Sequence, residues 1–263
     1  MKLFKSKPYF KHTILFSLFL TLSHFAVAQE VDSTKTVSHF YAAVNVTNNG
    51  ISLLPNFSLN KPAVIFNMAI GKKKLSFEPE LRFAVEGGKP WSFLFWWRYK
   101  VVNTNKFSFN VGAHPAIAFR EKTFITDGEP KTVLSAQRFF AGELSPNYAL
   151  TKNINVGVYY LHAFGLETDV TKNTDFFAIR SSFSDIKLTK NMALKIAPQF
   201  YYLKMDDKDG VYVSSTITLT HKKSPFYLSS IMSQTLKTEI AAKSNFVWNV
   251  SLHYAFSKNY VKQ

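Results

Sequence analysis

The feature that most constrains this chain is a period of two in its apolar residues, repeated through most of its length. In residues 75–86, Leu75, Phe77, Leu81, Phe83 and Val85 fall on one face, and Ser76, Glu78, Glu80, Arg82 and Glu86 on the other. Residues 91–102 set Trp91, Phe93, Phe95, Trp97, Tyr99 and Val101 against Arg98 and Lys100. Residues 107–119 and 245–256 repeat the pattern, the latter with Phe246, Trp248, Val250, Leu252, Tyr254 and Phe256 opposite Asn245, Asn249, Ser251 and His253. Successive side chains of an extended strand point to opposite faces, so this alternation specifies β-strands with one apolar and one polar face. No helical period of 3.6 follows residue 28.

Turn residues cut the runs into hairpins. Short Lys- and Asn-rich turns fall at 71–74, 103–106, 151–153, 189–191 and 222–224. Longer, more acidic connections alternate with them near 87–90, 120–132, 166–173, 206–210 and 237–243. Counting back from the last strand gives twelve, at 51–59, 63–70, 75–86, 91–102, 107–119, 134–150, 154–165, 174–188, 192–204, 211–221, 225–235 and 244–256. An even count with short turns at one end and long ones at the other is the pattern of a closed membrane barrel. Residues 29–50 then become an N-terminal periplasmic extension or lumen plug, with Phe40, Tyr41, Val44 and Val46 packing at the mouth. Residues 51–256 are the barrel and 257–263 a tail. Pro79, Pro115, Pro146 and Pro198 lie inside expected strands, where each removes a ladder donor, so bulges are expected there.

The first 28 residues read as a signal peptide. Lys2, Lys5, Lys7 and Lys11 precede an apolar stretch, and Ala26-Val27-Ala28 gives a small-x-small cleavage pattern. The apolar stretch falls short of the ~20 residues of a spanning helix. There is no cysteine, which excludes disulfides and Cys-linked lipid within the given sequence. The net charge of +15 falls to +11 without the four leader lysines. Those that remain sit mainly in turns rather than in a stripe with interleaved aromatics, so nucleic acid is not an expected partner.

Soluble barrels alternate too, with the apolar face inward. Twelve strands, paired charges on one face and a continuous aromatic surface on the other favour the inverted, lipid-facing arrangement. With 26 Phe, 12 Tyr and 4 Trp, the chain has the aromatic load of such a surface. On this pattern, and on Tyr254 and Phe256 in the final strand, the chain resembles a bacterial outer-membrane β-barrel of the Bacteroidota type. It departs from the aromatic assembly signal because SKNYVKQ follows Phe256. The resemblance implies an all-β, transmembrane antiparallel barrel of about 12 strands in the cell outer membrane. Its partners would be the lipid bilayer, lipopolysaccharide, the barrel assembly machinery and other outer-membrane subunits.

The polar face carries the candidate functional residues. Glu78, Glu80, Arg82, Glu86, Arg98 and Lys100 come from two neighbouring strands, with His114, Glu143, Arg180, Lys195 and Gln199 further round. Facing a lumen, they either line an aqueous channel or neutralise one another in a filled interior. The expected hairpin puts Arg98 beside Glu78 or Glu80 and Lys100 close to Glu78. Asn249, Ser251 and His253 supply the residue types of a nucleophilic hydrolase, and outer-membrane phospholipases use the same set. They point away from lipid, however, which favours ordinary lumen lining. Residues 206–210 (DDKDG) resemble part of a calcium loop but lack its first acid and have Thr216 where a bidentate Glu belongs. His114 has no companion at metal spacing, so no metal or cofactor is expected. The leading expectation is a narrow passive channel for small polar solutes. An accessory subunit of a larger outer-membrane complex comes next, and a membrane-embedded lipid hydrolase third.

Overall fold

The computed structural model describes residues 37–52, 58–126, 128–242 and 244–261. The expected signal peptide lies outside these residues. The strands are β1 (Val37–Thr47), β2 (Ala63–Lys72), β3 (Leu75–Ala84), β4 (Pro90–Asn103), β5 (Phe107–Thr126), β6 (Glu129–Ala149) and β7 (Ile154–Gly165). They continue as β8 (Asn173–Lys187), β9 (Met192–Met205), β10 (Lys208–His221), β11 (Phe226–Thr238), β12 (Phe246–Trp248) and β13 (Ser251–Val261). Each pairs antiparallel with its sequence neighbour, except that β12 and β13 both pair with β11. They are two halves of one strand interrupted at Asn249 and Val250. β13 then pairs with β1 from Val37↔Val261 to Thr47↔Ser251, closing a barrel of twelve strand positions.

The alternation resolves into an outer and an inner surface. Along β8, Thr174, Phe176 and Ala178 are buried while Phe177 and Ile179 are exposed. The exposed register elsewhere includes Phe66, Ile70, Trp97, Leu144, Phe200, Trp248, Leu252, Tyr254 and Phe256. A soluble surface does not carry so continuous an apolar belt, whereas hydrocarbon demands one. The polar register therefore faces the lumen.

Several features differ from the sequence reading. The expected extension is the first strand: residues 37–47 send Phe40, Val44 and Val46 to the outer face, with Phe40 edge-on to Phe256 at 5.7 Å, and turn Tyr41 inward. The stretch 51–59 is not a strand in its described residues. Gly50 N–H donates to Lys61 O at 2.8 Å, Leu59 N–H to Gly50 O at 2.8 Å, and Ser52 N–H to the Ser58 hydroxyl at 2.9 Å, so this segment bonds to itself as a loop. The parity argument survives because one strand was gained and one lost. The C-terminal tail is also shorter than expected, since residues 257–261 complete β13.

The prolines make no bulges. Register passes unshifted through each one, but one ladder loses its pairs beside it: Asn67↔Glu80 resumes at Ile70↔Phe77, skipping Pro79. Pro115, Pro146 and Pro198 interrupt the β4–β5, β6–β7 and β8–β9 ladders in the same way. The register shifts lie elsewhere. One between Arg82 and Phe83 makes Trp91 an extra residue on β4 and carries its ring inside, 1% exposed, against the position of Gly50. Trp91 therefore does not share the outer face of Phe93.

The expected long loop at 120–132 is mostly strand. The β4–β5 ladder ends at Ser92↔Ala118 and the β6–β7 ladder begins at Phe139↔Gly165, while β5 and β6 continue pairing to Thr126↔Glu129. Eight residues per strand make a two-stranded ribbon reaching about 27 Å beyond its neighbours. It rises from the same end as the residue 48–62 connection, opposite both described chain ends and the lysine-rich turns. On intact cells, cysteine in place of Glu129 at the ribbon tip should react with a membrane-impermeant maleimide. Cysteine at Asn153, in the β6–β7 turn, should react only after the cells are opened, and the reverse pattern would invert the barrel.

Candidate functional site

The lumen has a charged wall and a neutral one. On the charged wall, Arg98 of β4 forms an ion pair with Glu78 of β3 and a bidentate one with Glu143 of β6, at 2.6 and 3.3 Å. Glu143, almost wholly buried, also accepts from the Tyr159 hydroxyl at 2.6 Å, and Glu78 accepts from Ser76 at 2.6 Å. Arg82 pairs with Glu80. Arg180 donates to Ser145 and, at 3.2 Å, to Asn147, and lies 4.9 Å over the Tyr159 ring.

Glycine makes these bridges possible. Arg98, Gly112 and Glu143 occupy one transverse row of the sheet, so the ion pair must cross β5 at Gly112. A Cβ there would lie 2.9 Å from Glu143 Oε1 and 3.1 Å from Arg98 Cγ. Gly157 plays the same part between Asn147 and Arg180, where a Cβ would lie 2.3 Å from Asn147 Oδ1. The inward registers of β5 and β7 thus carry glycine where the two bridges cross them.

The other expected lumen residues divide by height. His114 stacks on Trp96 at 3.8 Å, with Arg98 on the same indole at 4.3 Å, and its Nδ1 bonds Pro115 O at 3.2 Å. Gln199 donates to Ser214 at 2.9 Å on the neutral wall. Lys100 and Lys195 are exposed toward the end with the lysine-rich turns, and Lys100 lies beyond reach of Glu78 in register, opposite Asn110. Glu86 is not lumen-lining. It sits on a short 3-10 turn (Glu86–Gly88) between β3 and β4, exposed, with Lys61 at 2.9 Å. The lysine's hydrogen bond and charge hold the Glu86 carboxyl below its usual range, and the pairing raises Lys61.

The hydrolase set is not assembled. Asn249 Oδ1 accepts from Ile231 N–H at 2.9 Å and its Nδ2 donates to Asn49 O at 3.1 Å, filling the break between β12 and β13. His253 bonds Ser229 at 2.7 Å and stacks on Tyr227 at 4.2 Å, so its partner is not Ser251. The asparagines clasp the first loop to the last strand, for Asn48 Oδ1 also accepts from Val250 N–H at 2.8 Å. Residues 206–210 show no calcium geometry: Asp206 caps Lys172 and Asn173 N–H groups at 2.8–3.1 Å, and Asp209 accepts from Tyr202 at 3.0 Å.

Three cavities run along the charged wall, of about 370, 290 and 220 Å³, and Glu80 borders all of them. Ser52, on the inward-folded first loop, borders the latter two. Beside them the lumen is filled by a packed aromatic cluster, whose Phe176 and Tyr201 border two of the cavities. Phe176, Tyr201 and Tyr212 stack at 5.0 and 4.9 Å with Leu203, Met205 and Ile240, all nearly fully buried. On the outer face, Asp175 accepts from Tyr160 at 2.7 Å and meets His162 at 2.9 Å, a polar group in the lipid-facing register that period-two reading does not single out.

Among solved structures the chain is similar to the KdgM porin, with a TM-score of 0.51 and 10% identity over 83% of this chain and 99% of that one. It is also similar to an outer membrane channel from Pseudomonas putida F1, with a TM-score of 0.50 and 11% identity over 88% and 100%. The fold is that of an outer-membrane barrel. No family model and no curated relative matches the sequence.

Replacing Arg98 by alanine leaves the buried Glu143 carboxylate without its guanidinium. Urea unfolding of the refolded barrel in micelles should show a loss of roughly 3 kcal/mol. Glu86→Ala, which breaks only an exposed pair, should leave the unfolding midpoint unmoved. Equal small losses from both would mean that the charged wall is wet throughout.

Proposed function

We propose that the barrel is a narrow passive channel for small polar solutes in the bacterial outer membrane. The observation that carries this reading is the chain of cavities meeting at Glu80. They give polar solutes a side-chain-lined route past the packed aromatic core. Glu80 borders all three cavities and its partner Arg82 two of them, so the pair is where this reading puts the constriction. The two similar structures, a porin and an outer membrane channel by name, support the same reading at the level of fold. Export by a cleaved leader, a Bacteroidota-type origin, insertion by the barrel assembly machinery and contact with lipopolysaccharide belong to this proposal.

A second reading, an accessory subunit of a larger complex, draws on the β5–β6 ribbon. Phe124, Ile125 and Leu134 are exposed there, Ile125 at 80%, beyond the part of the barrel that lipid covers.

The refolded full-length barrel should conduct ions in a planar bilayer, and Glu80→Ala should raise its single-channel current. Reversing Lys100 and Lys195 to glutamate should shift ion preference toward cations, since both stand at the mouth where charge selects ions. If wild type and Glu80→Ala are both silent, the channel reading fails and the accessory reading replaces it.

A further inference from the structure

We propose that the lumen holds a binding subsite for a small neutral polyhydroxyl solute, a sugar or polyol, centred on the row of side chains through Arg82, two residues inside the ends of β1 to β4 at the rim of the residue 48–62 connection. The inference takes the channel reading as its starting point and names its solute class. Four adjacent strands place Asn45, Ile65, Arg82 and Ser92 opposite one another. At ~4.8 Å per strand step, about 14 Å separates Asn45 from Ser92 along the wall.

Both ends of that row carry a buried polar atom without a hydrogen-bond partner among the described residues, Asn45 Oδ1 and Ser92 Oγ. Asn45 is 7% exposed and Ser92 8%. Each of the two residues lines a cavity. Asn45 lines the 220 Å³ cavity and Ser92 the 290 Å³ cavity, and Ser52, Glu80 and Arg82 line both. Folded interiors pair nearly all buried polar groups because an unpaired one is costly. Two such atoms flanking a single ion pair, in cavities that share a wall, mark where an incoming hydroxyl completes the hydrogen bonding.

Charge selects the class of solute. Every carboxylate and guanidinium lining these two cavities is already ion-paired: Arg82 with Glu80, and Arg98 with Glu78 and Glu143. An anionic or cationic solute would lose hydration and meet no opposite charge left uncommitted. A hydroxyl both donates and accepts, so it satisfies the asparagine oxygen as donor and the serine in either sense. Paired carboxylates and guanidiniums keep spare lone pairs and N–H groups for further hydroxyls between the two ends.

The test uses the full-length barrel in detergent micelles, titrated with glucose and sorbitol, and with glucuronate and glucosamine as charged counterparts. Binding is read by calorimetry and by tryptophan fluorescence, since Trp96 lines the 290 Å³ cavity. Glucose or sorbitol should bind saturably, no more weakly than either charged sugar, and Asn45→Ala and Ser92→Ala should each weaken that binding about tenfold. Heat-modifiable gel mobility establishes that each variant is folded, and either variant alone reads the row if the other fails to assemble. Absence of saturable neutral-sugar binding, affinities unmoved by the folded variants, or tenfold tighter binding of a charged sugar would each overturn the subsite. Bilayer conductance of the same preparation is scored separately. A barrel that binds sugar without conducting removes the channel reading alone, and one that conducts without saturable binding removes the subsite alone.

Discussion

The pairing of β1 with β13 is the constraint on which the rest depends. In hydrocarbon an unpaired backbone N–H or C=O has no water to turn to, so a sheet survives there only if it has no edge. The register from Val37↔Val261 to Thr47↔Ser251 supplies that closure with the two ends of the described chain. Once the ends meet, the strand count must be even, the turns must alternate between the two rims, and the curvature must enclose a lumen. The same seam organises the first loop. Thr47 ends β1 where β13 begins, and Asn48, Asn49 and Asn249 fill the break in the last strand with side-chain amides in place of ladder bonds. The chain can therefore leave the wall at residue 48 and fold back to Lys61 without exposing an edge.

Inside, the barrel solves a filling problem with long side chains and missing ones. Twelve strands enclose more space than eight, which side chains alone just fill. Arg98 and Arg180 span two strand spacings to reach Glu143 and Asn147, and each passes over a glycine in the strand between. Bridges of this kind make the charged wall a connected network, while the aromatic stack from Phe176 to Tyr212 fills the opposite quarter. What remains open is the space that converges on Glu80. The interior is neither a filled core nor a wide pore, because its two walls are filled by different chemistry.

Much of this was legible in the residues. The sequence pattern identified β2 to β11 and the face of nearly every charge, and the lysine-rich turns marked one rim. The first strand looks extended in sequence but is set aside there, because with residues 51–59 already counted a thirteenth strand would break the even number that closure requires. Residues 51–59 took its place because they are apolar and bounded by turn residues, features not confined to strands. The site was legible as a list and in one contact, the Arg98–Glu78 pair, but not in its register. Arg98 lies opposite Ser76 and not beside Glu80 because the β3–β4 connection is centred earlier than Gly87–Pro90 suggested, with Trp91 bulged inward. Glu143 emerged as its second partner only once Gly112 was seen to lie between them.

The prolines show how far the lipid constraint can be relaxed. Each lacks one donor, and each faces that lack toward a single neighbour, so one ladder is interrupted and the other is kept. The interrupted ladders are β2–β3, β4–β5, β6–β7 and β8–β9, every second one around this half of the barrel. No strand is weakened on both sides, and no two interruptions share a ladder. A bulge would have restored bonding locally but shifted the register, sending every later residue of that strand to the opposite face. For a wall whose outer side must stay apolar and whose inner side carries Glu78, Arg98 and Glu143, a lost hydrogen bond is the smaller disturbance. The true bulges accordingly fall near strand ends, at Arg82/Phe83, Lys100/Val102, Phe183/Ile186 and Val211/Tyr212, where few residues remain to be reversed.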